Sequence, residues 1–350
     1  MPNTFSEVVL MLELIRKLSL LNGTSGREDA VRDYIINEIK DFAESYEVDP
    51  LGNLIVFKKG KKPAKNKVMI DAHMDEVGLI ITSIDSEGFL RFEKVGGIDT
   101  RVFAGRTVRV GEKSVCGVFG IKPIHMLEKS SEADMPKADE LYIDIGAKSK
   151  EEASEYVRPG DMAWFADGFA EFGNGFIKSK ALDDRVGCAM LIEMIRSELE
   201  YDAWFSFSVQ EEIGTRGART AAFTIDPDYA IVVETTTAAD ISGVKDEKRV
   251  CICGEGGAVS FMDRSTLYGR ELFDRAFEVA ERDGIKCQAK TLVAGGNNAG
   301  AIHKSRGGVK TLAISVPCRY LHSPSCVIKY DDALESLRLV KAMAEEFAKW

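Results

Sequence analysis

The segment KVMIDAHMDEVG places ionisable side chains directly after an apolar run. The run VMI predicts a buried strand, because short continuous apolar runs are typical of strands covered on both faces. Charged groups at the end of such a strand are costly unless a counter-charge compensates them. The residues concerned are Asp71, His73, Asp75 and Glu76.

Other apolar runs end in the same way. AWFSFSVQ is followed by the pair Glu211 and Glu212. YAIVVE ends in Glu234, and LAISVPCRYLH ends in His322. Since ligands of open α/β sheets bind outside the carboxyl ends of the strands, we expect these side chains to meet at one edge of a sheet.

Asp183 and Asp184 begin a predicted helix in KALDDRVGC, where the positive end of the helix dipole favours carboxylates. With the strand-end residues they make a set of two imidazoles and several carboxylates, which suits zinc, cobalt or manganese. The set is too large for one tetrahedral zinc site and fits two metals that share a carboxylate. Such a site activates water for hydrolysis. The pair Glu211–Glu212 could then supply one ligand and one general base.

The elements that must position these residues alternate between strands and helices, both before residue 77 and after residue 165. Continuous apolar strands alternating with amphipathic helices predict an α/β fold, with a mostly parallel sheet covered by helices on both faces. Residues 77–165 differ, because short β-like runs punctuated by Gly and Asp replace the helices. We therefore predict a discontinuous catalytic α/β domain, 1–76 and 166–350, with an inserted small all-β barrel domain, 77–165.

Composition narrows the choice of partners and compartment. The chain has 350 residues and a formal net charge of −10, which argues against nucleic acid as a partner. No apolar run is long enough to cross a bilayer, so no membrane partner is expected. Seven scattered cysteines and an N-terminus that lacks the pattern of a signal peptide predict the reducing cytoplasm.

Five motifs resemble, in order and spacing, those of the TET-type dinuclear metal aminopeptidases. These are glutamyl-aminopeptidase-like enzymes, often named cellulase M or endoglucanase. The resemblance extends to SGRED and LGNLIV near the start, so it covers nearly the whole chain. The five motifs are AHMDEVG, KALDDRVGC, QEEIGTRGA, VVETTTAAD and PCRYLHSP.

The resemblance implies a role for each residue of the set. His73 and Glu234 would bind one metal, and Glu212 and His322 the other. Asp183 would bridge the two metals. Two further residues would act without binding metal: Glu211 as the general base, and Asp75 as the acceptor of a hydrogen bond from the other ring nitrogen of His73.

The resemblance also implies cofactors and partners. Each subunit would hold two divalent metal ions, zinc first, with cobalt or manganese as alternatives. Peptides would be the substrates. The chain would self-associate through dimers, with the inserted barrel as the dimerisation domain, into a hollow tetrahedral dodecamer.

Three positions depart from the family pattern. Glu234 stands where many members have Asp, and the pair Asn297–Asn298 stands where a Thr-Asp or Asn-Asp pair is common. Cys326 occupies a position that is frequently Glu. None of these departures removes an expected metal ligand. His125, in the insertion, is interpreted as a structural turn residue.

The favoured interpretation is a metal-dependent aminopeptidase that removes N-terminal residues from short peptides. An alternative is a di-zinc N-acyl amino acid deacylase or amidohydrolase, although such enzymes usually carry a helical-ferredoxin lid rather than an all-β insertion. Glycan hydrolysis normally uses two opposed carboxylates and no metals, so the paired histidines argue against it. A catalytically silent, metal-bound assembly protein is the non-enzymatic alternative, against which Glu211 argues.

Overall fold

The computed structural model describes residues 5–126 and 140–350. Helices form where apolar side chains recur at the helical period, as the sequence predicts for the first and last segments. The α-helices of the described residues are α1 (Phe5–Leu20), α2 (Asp29–Ile39), α3 (Lys150–Ser154), α4 (Leu182–Arg196), α5 (Arg216–Ile225), α6 (Arg270–Asp283), α7 (Ala299–Ile302) and α8 (Tyr330–Lys349).

The strands form one large mixed sheet and one closed barrel. The sheet contains β1 (Ser45–Val48), β2 (Leu54–Lys58), β3 (Val68–His73), β10 (Ala170–Phe172), β11 (Phe176–Ser179), β12 (Ala203–Ser208), β13 (Tyr229–Thr237), β14 (Gly257–Val259), β15 (Cys287–Ala289), β16 (Lys310–Arg319) and β17 (Cys326–Lys329). The barrel contains β4 (Gly78–Ile84), β5 (Leu90–Val95), β6 (Thr107–Val110), β7 (Val115–Gly120), β8 (Tyr142–Asp144) and β9 (Met162–Phe165).

The centre of the sheet is parallel, in the order β12-β3-β13-β16. Every residue of β3 is buried, which explains why the strand begins with the continuous apolar run VMI rather than with alternating apolar and polar residues. Antiparallel strands flank this centre on both sides: β1 and β2 beyond β12, and β17, β11 and β10 beyond β16. Of the predicted site residues, His73 ends β3 and Glu234 lies in the second half of β13.

Helices cover both faces of the sheet. On one face, α1, α2, α4, α6 and α8 pack against the strands in the largest apolar core, which includes Leu18, Leu191 and Val340. On the other face, a smaller core formed with α5 and α7 includes Ala221 and Ile302. Since apolar side chains on both surfaces of the central strands are removed from water, these strands form a rigid base for the groups at their ends.

The barrel follows β3 directly and closes in the order β4-β5-β8-β7-β6-β9. All of its strand pairs are antiparallel. Its core is a separate apolar cluster, centred on Phe103, whose ring centroid lies 4.8 Å from that of Phe119 and 5.7 Å from that of Phe92. Within residues 5–126 and 140–350, no helix combines the length and apolar character that a membrane span requires.

Phe103 provides a test of the barrel core. Phe103→Ala should lower the free energy of unfolding by about 3–5 kcal/mol, because a fully buried aromatic ring is replaced by a cavity. Urea titration followed by circular dichroism measures the change. Tyr156→Ala, which removes a ring that is 47% exposed on the same barrel, is the control and should cost less than about 1 kcal/mol. Equal losses for the two variants would contradict the barrel packing.

Candidate metal centre

The seven predicted site residues converge at one edge of the sheet. β3 ends at His73, next to Ser208 at the end of β12. The chain leaving β12 carries the pair Glu211 and Glu212, and β13 carries Glu234. The remaining members are Asp75, which follows β3; Asp183, at the start of α4; and His322, in the turn between β16 and β17.

Asp183 lies between the two histidines. Its Oδ1 is 3.5 Å from His73 Nε2, and its Oδ2 is 3.3 Å from His322 Nε2. His73 Nε2 is also 3.7 Å from Glu234 Oε2, and His322 Nε2 is 3.3 Å from Glu212 Oε2. Each imidazole therefore shares Asp183 with one further carboxylate.

The other ring nitrogen of each histidine contacts an acceptor. His73 Nδ1 lies 3.1 Å from the Asp75 carbonyl oxygen and 3.3 Å from Asp75 Oδ1. His322 Nδ1 donates to the Gly97 carbonyl oxygen at 2.9 Å. Because these acceptors place a proton on Nδ1, the neutral ring of each histidine presents a free electron pair at Nε2, which is the form that ligates metals.

Asp75 orients the residues that follow β12. Its carboxylate accepts hydrogen bonds from the backbone N–H groups of Glu211 at 2.9 Å and Glu212 at 3.1 Å, and from Ser25 Oγ at 2.6 Å. Burial by itself would raise the pKa of Asp75, but the hydrogen bonds from His73 and Ser25 outweigh it, and the pKa lies below its usual value. Asp75 therefore stays ionised and fixes the Glu211–Glu212 turn against His73.

The remaining carboxyl groups resist ionisation. Burial raises the pKa of Glu212, Glu234 and Asp184 well above the usual range. For Glu211, burial and then the charge of Asp75 raise the pKa to about 7, against the opposing effect of His73. These shifts have one cause, which is the concentration of acidic groups in a place that water reaches poorly.

The histidines and Asp183, by contrast, favour their charged forms. Burial lowers the pKa of His322, but its hydrogen bond with Asp183 and the charge of Glu212 outweigh that effect and raise the pKa to about 10. Burial likewise lowers the pKa of His73, but the charge of Glu234 together with the contacts to Asp183 and Asp75 outweighs that effect and raises the pKa well above its usual value. Burial raises the pKa of Asp183, but the neighbouring imidazoles of His322 and His73 outweigh that effect and hold the pKa below its usual range. The cluster thus attracts positive charge strongly.

The donor set fits divalent cations. Asp183 Oδ1 and Glu234 Oε1 are buried and have no hydrogen-bond partner within the part of the chain that the structure describes. Leaving such oxygens unsatisfied costs about 1–3 kcal/mol each. The potential ligand atoms of His73, Asp184 and Glu234 lie within 4.8 Å of one another, as do those of His73, Asp183 and Glu212. Imidazole nitrogens with carboxylate oxygens at this spacing match the ligand preferences of zinc, cobalt and manganese.

A buried ion network supports the cluster from the side of α1. Lys180 Nζ contacts both carboxylate oxygens of Glu76, at 2.7 and 2.9 Å. Arg185 is fully buried, and its guanidinium donates to the carbonyl oxygens of Met74 and Leu18. These residues flank β3 and the start of α4, so they hold His73 and Asp183 in position.

The barrel reaches the cluster through its β5–β6 connection. Gly97 supplies the acceptor for His322, and a Cβ atom at Gly97 would lie 3.5 Å from His322 Nδ1. The neighbouring Gly96 has a φ of +87°, and a Cβ atom there would lie 2.8 Å from Val77 Cγ1. The close approach of this backbone to the site thus depends on the two glycines.

Two departures from the family pattern have structural explanations. Asn298 is fully buried, and its Nδ2 donates to Asp71 Oδ2 and Ser208 Oγ, both at 2.8 Å. Asp71 therefore supplies a carboxylate next to residue 298, the position at which the family pattern has a carboxylate of its own. Cys326 is buried, and its Sγ lies 3.3 Å from the Ser323 carbonyl oxygen. His125 is exposed in the segment Ile124–Met126.

The sequence interpretation missed several contacts. The pattern Ser25-x-x-Glu28 predicts a capping box for α2, but this is wrong, because Ser25 Oγ donates to Asp75 instead. Glu28 is buried and accepts from the Gln210 backbone N–H at 3.1 Å. Asp184, which received no separate role, accepts from the His73 backbone N–H at 3.3 Å. A buried acid or hydroxyl in a turn gives no sequence signal of which distant segment it bonds.

A large groove lies apart from the cluster. It has a volume of about 1120 Å³ and lies between the β1–β2 turn, α5 and the segment after α7. Its lining includes Arg216, Arg219 and Lys304 and none of the seven predicted site residues. The groove is therefore separate from the predicted metal ligands.

An α/β sheet with an inserted closed barrel and a buried cluster that could hold metal ions defines the class, an α/β protein with a candidate metal centre. The M42 glutamyl aminopeptidase family matches residues 52–339. The chain therefore belongs to this family of metal-dependent aminopeptidases.

Individual relatives agree over nearly the full length. The chain is 34% identical over 344 residues to the lysyl aminopeptidase of Pyrococcus furiosus, which covers 95% of this chain and 96% of the relative. It is 30% identical over 344 residues to the glutamyl aminopeptidase of Lactococcus lactis, with 95% of each covered. The TET1 peptidase of Pyrococcus horikoshii, which can assemble into a tetrahedron or a large octahedral shell, superposes with a TM-score of 0.83 at 40% identity, covering 95% of this chain and 99% of that one.

Divalent cations should stabilise the fold, because they neutralise the buried carboxylates. Zinc, cobalt or manganese at a hundredfold excess over its dissociation constant should add about 2.7 kcal/mol, seen as a rise in Tm that a chelator reverses. Asp183→Asn should lose most of the rise, whereas the control Asp246→Asn, at a side chain that is 90% exposed, should keep it. A Tm that none of the three ions changes would contradict the site.

Proposed function

We propose that this protein is a co-catalytic dinuclear metallo-aminopeptidase that removes N-terminal residues from short peptides. The observation that supports this most directly is the position of Asp183 between two imidazoles, each of which also contacts a further carboxylate. A carboxylate shared in this way suits two neighbouring cations, one on each side. Family membership supplies the reaction class.

Five residues would hold the cations: His73 and Glu234 on one side, Glu212 and His322 on the other, and Asp183 between them. The potential ligand atoms of Asp184 also lie near His73 and Glu234, so this residue could assist the first set. Two bound cations would polarise the scissile carbonyl group and lower the pKa of the attacking water.

Glu211 is the proposed general base. The charges of His73 and Asp75 act on its carboxyl group. Its backbone N–H donates a hydrogen bond to Asp75 Oδ1 at 2.9 Å. We infer that it takes the proton of the attacking water and passes it to the leaving amine. Neighbouring Glu212 points instead to His322, at 3.3 Å. The two adjacent acids thus divide between proton transfer and metal binding.

The aminopeptidase proposal is preferred to the deacylase for two reasons. The family matched is one of aminopeptidases, and the inserted unit is a closed β-barrel. The acidic surroundings of His73 also suit a substrate whose free amino group is protonated. An N-acetylated peptide lacks that charge.

Replacing Glu211 separates catalysis from metal binding. Glu211→Gln should lower kcat on aminoacyl-anilides by about 10²–10⁴-fold, because the amide cannot accept the proton, while bound metal is retained. Glu212→Gln, one residue away, should lose metal as well as activity. Anilide cleavage and elemental analysis after dialysis measure the two properties.

Three results would argue against these assignments. A Glu211→Gln enzyme with full activity would exclude this residue as the base. Equal cleavage of an N-acetylated anilide would favour the deacylase. A metal-loaded wild-type protein that cleaves neither substrate would favour the silent assembly protein.

We also propose that residues 77–165 form a dimerisation domain and that dimers build a tetrahedral dodecamer. Apolar side chains are exposed on or near β7 of the barrel, namely Val118, Ile121 and Met126. The TET1 peptidase of Pyrococcus horikoshii provides a structurally similar example of such assembly. The seven free cysteines agree with the proposed cytoplasmic location.

The assembly proposal predicts a native mass of about twelve times the 38.5 kDa chain, measured by light scattering after gel filtration. Val118→Asp should reduce the mass, because a buried unpaired charge opposes association. Val293→Asp, at a similarly exposed apolar residue of the catalytic part, is the comparison. A wild-type mass of a single chain at all concentrations would refute self-association.

A further inference from the structure

The groove beside α5 carries basic side chains that the proposed mechanism does not use. It has a volume of about 1120 Å³ and is bounded by the β1–β2 turn, α5 and the segment after α7. Arg216 and Arg219 of α5 and Lys304 after α7 line this basic groove, and all three are exposed. In a chain with a net charge of −10, such a concentration of positive charge favours the binding of an anion.

The spacing along α5 brings its basic residues together. Arg216 and Arg219 are three residues apart, so their side chains are neighbours on one face of the helix. Phe223, four residues after Arg219, continues the same face and also lines the groove. Lys304 belongs to a separate element. Positive charge therefore borders the groove on two elements of the fold, and a ligand between them can contact both.

The protein does not neutralise these three cations. Within residues 5–126 and 140–350, none of them forms an ion pair, and the side chains of Arg219 and Lys304 have no hydrogen-bond partner either. Arg216 contacts a neutral group, because its Nη1 lies 3.5 Å from Gln210 Oε1. Guanidinium and ammonium groups are donors without acceptor capacity, so they can bind the oxygens of a ligand.

Asp49 is the acidic residue among the described residues that line the groove, and its carboxylate is already committed. Its Oδ1 accepts from the backbone N–H groups of Leu51 and Gly52, both at 2.9 Å, and its Oδ2 accepts from Thr220 Oγ1 at 3.0 Å. These bonds fix the β1–β2 turn against α5. Asp49 therefore shapes the groove and leaves its cations for an external anion.

Ser305 adds an unsatisfied hydroxyl group to the lining of the groove. The residue is only 8% exposed. Its backbone N–H donates to the Ile302 carbonyl oxygen at 2.9 Å, but its Oγ is buried and has no hydrogen-bond partner in the part of the chain that the structure describes. Burial of an unpaired hydroxyl group is unfavourable. A ligand oxygen bound beside Lys304 would supply the missing partner.

Apolar surface lies in the same groove. Phe223 is 57% exposed, and Leu51 is 39% exposed. Arg306 holds the Phe223 ring, since its guanidinium carbon lies 4.0 Å from the ring centroid and its Nε donates to the Phe223 carbonyl oxygen at 2.8 Å. The charge of Arg306 is paired with Asp226, at 3.3 Å. An aromatic ring fixed in this way is suited to contact an organic group of the ligand.

One wall of the basic groove adjoins the turn that carries the proposed general base. Gly214 and Thr215 line the groove, and their backbone N–H groups both donate to the Glu211 carbonyl oxygen at 2.9 Å. A ligand in the groove would therefore contact the segment between Glu212 and α5. Because the lining includes no predicted metal ligand, the groove is distinct from the peptide site proposed above.

We propose that the basic groove binds a small phosphate ester, with the phosphate group held by Arg219, Lys304 and Ser305. The organic group lies against Phe223. A phosphate monoester offers three acceptor oxygens and about two negative charges, so it can accept from donors on two elements at once. A carboxylate has two oxygens in one plane and a single charge, which match this donor set less well. The proposal is independent of the aminopeptidase function.

Phenyl phosphate, inorganic phosphate and benzoate separate the contributions of the phosphate group and the ring. We expect the metal-loaded protein to bind phenyl phosphate about 10-fold more tightly than either of the other two, because it alone combines the dianion with an aromatic ring. Equilibrium dialysis, with phosphorus analysis or benzoate absorbance, measures the affinity and the number of molecules bound per chain.

Variants of the groove locate the bound phenyl phosphate. Arg219→Gln and Lys304→Gln should each weaken binding by about 10-fold, because each removes one charge-assisted hydrogen bond. Phe223→Ala should reduce the affinity to that of inorganic phosphate. Arg270→Gln, which removes the same charge from a side chain that is 83% exposed and pairs with Asp274, should bind as the wild type does. Near-UV circular dichroism and metal content establish that the variants are folded and loaded.

Three results would overturn the proposal. Phosphate bound at the metal centre would be retained by every groove variant, so unchanged binding in both Arg219→Gln and Lys304→Gln places the ligand elsewhere. Benzoate bound as tightly as phenyl phosphate excludes the phosphate assignment. Absence of phenyl phosphate binding at millimolar concentration excludes the site. Each of these results leaves the aminopeptidase function standing, since anilide cleavage tests that function separately.

Discussion

Concentration of negative charge at the buried edge of a parallel sheet is the constraint on which the structure depends. Asp75, Asp183, Glu211, Glu212 and Glu234 gather there with only two imidazoles, His73 and His322, among them. The pKa values of the three glutamates and of both imidazoles are raised, whereas those of Asp75 and Asp183 are lowered. Such a cluster persists only if cations compensate it and if the surrounding fold is rigid enough to hold it together.

The rest of the fold supplies that rigidity. The central strands are apolar on both faces and packed between two layers of helices, so their ends cannot move apart without exposing the core. Below the rim, Lys180 and Arg185 neutralise Glu76 and satisfy the carbonyl groups around α1 and β3. Asp75 then transmits the position of β3 to the Glu211–Glu212 turn through two backbone hydrogen bonds.

The inserted barrel contributes a backbone carbonyl group to the candidate metal centre. Gly97 accepts the hydrogen bond that sets the tautomer of His322, so a segment outside the α/β sheet helps to define a predicted metal ligand. Self-association through the barrel would therefore act on the same segment that supports the centre. This arrangement connects the two functions that the family and its structural relatives suggest, peptide hydrolysis and assembly.

Much of this architecture was predictable because local patterns carried it. The apolar runs ending at His73 and Glu234 predicted buried strands. β3 does end at His73, whereas β13 continues beyond Glu234 to Thr237. The sheet was harder, because its antiparallel margins depend on pairings between distant segments, such as β11 with β17. The capping box at Ser25 failed for a similar reason: the hydroxyl group has a better acceptor in Asp75, fifty residues away.

Composition and periodicity along the chain were enough to predict which residue types are available for chemistry and that most of them follow or end an apolar run, with Asp183 at the start of a helix. The position of Asp183 between the two imidazoles and the hydrogen bond from His322 to Gly97 became apparent only in three dimensions. The physical reason is that these contacts join segments far apart in the chain, whose approach depends on sheet order and register rather than on any local preference.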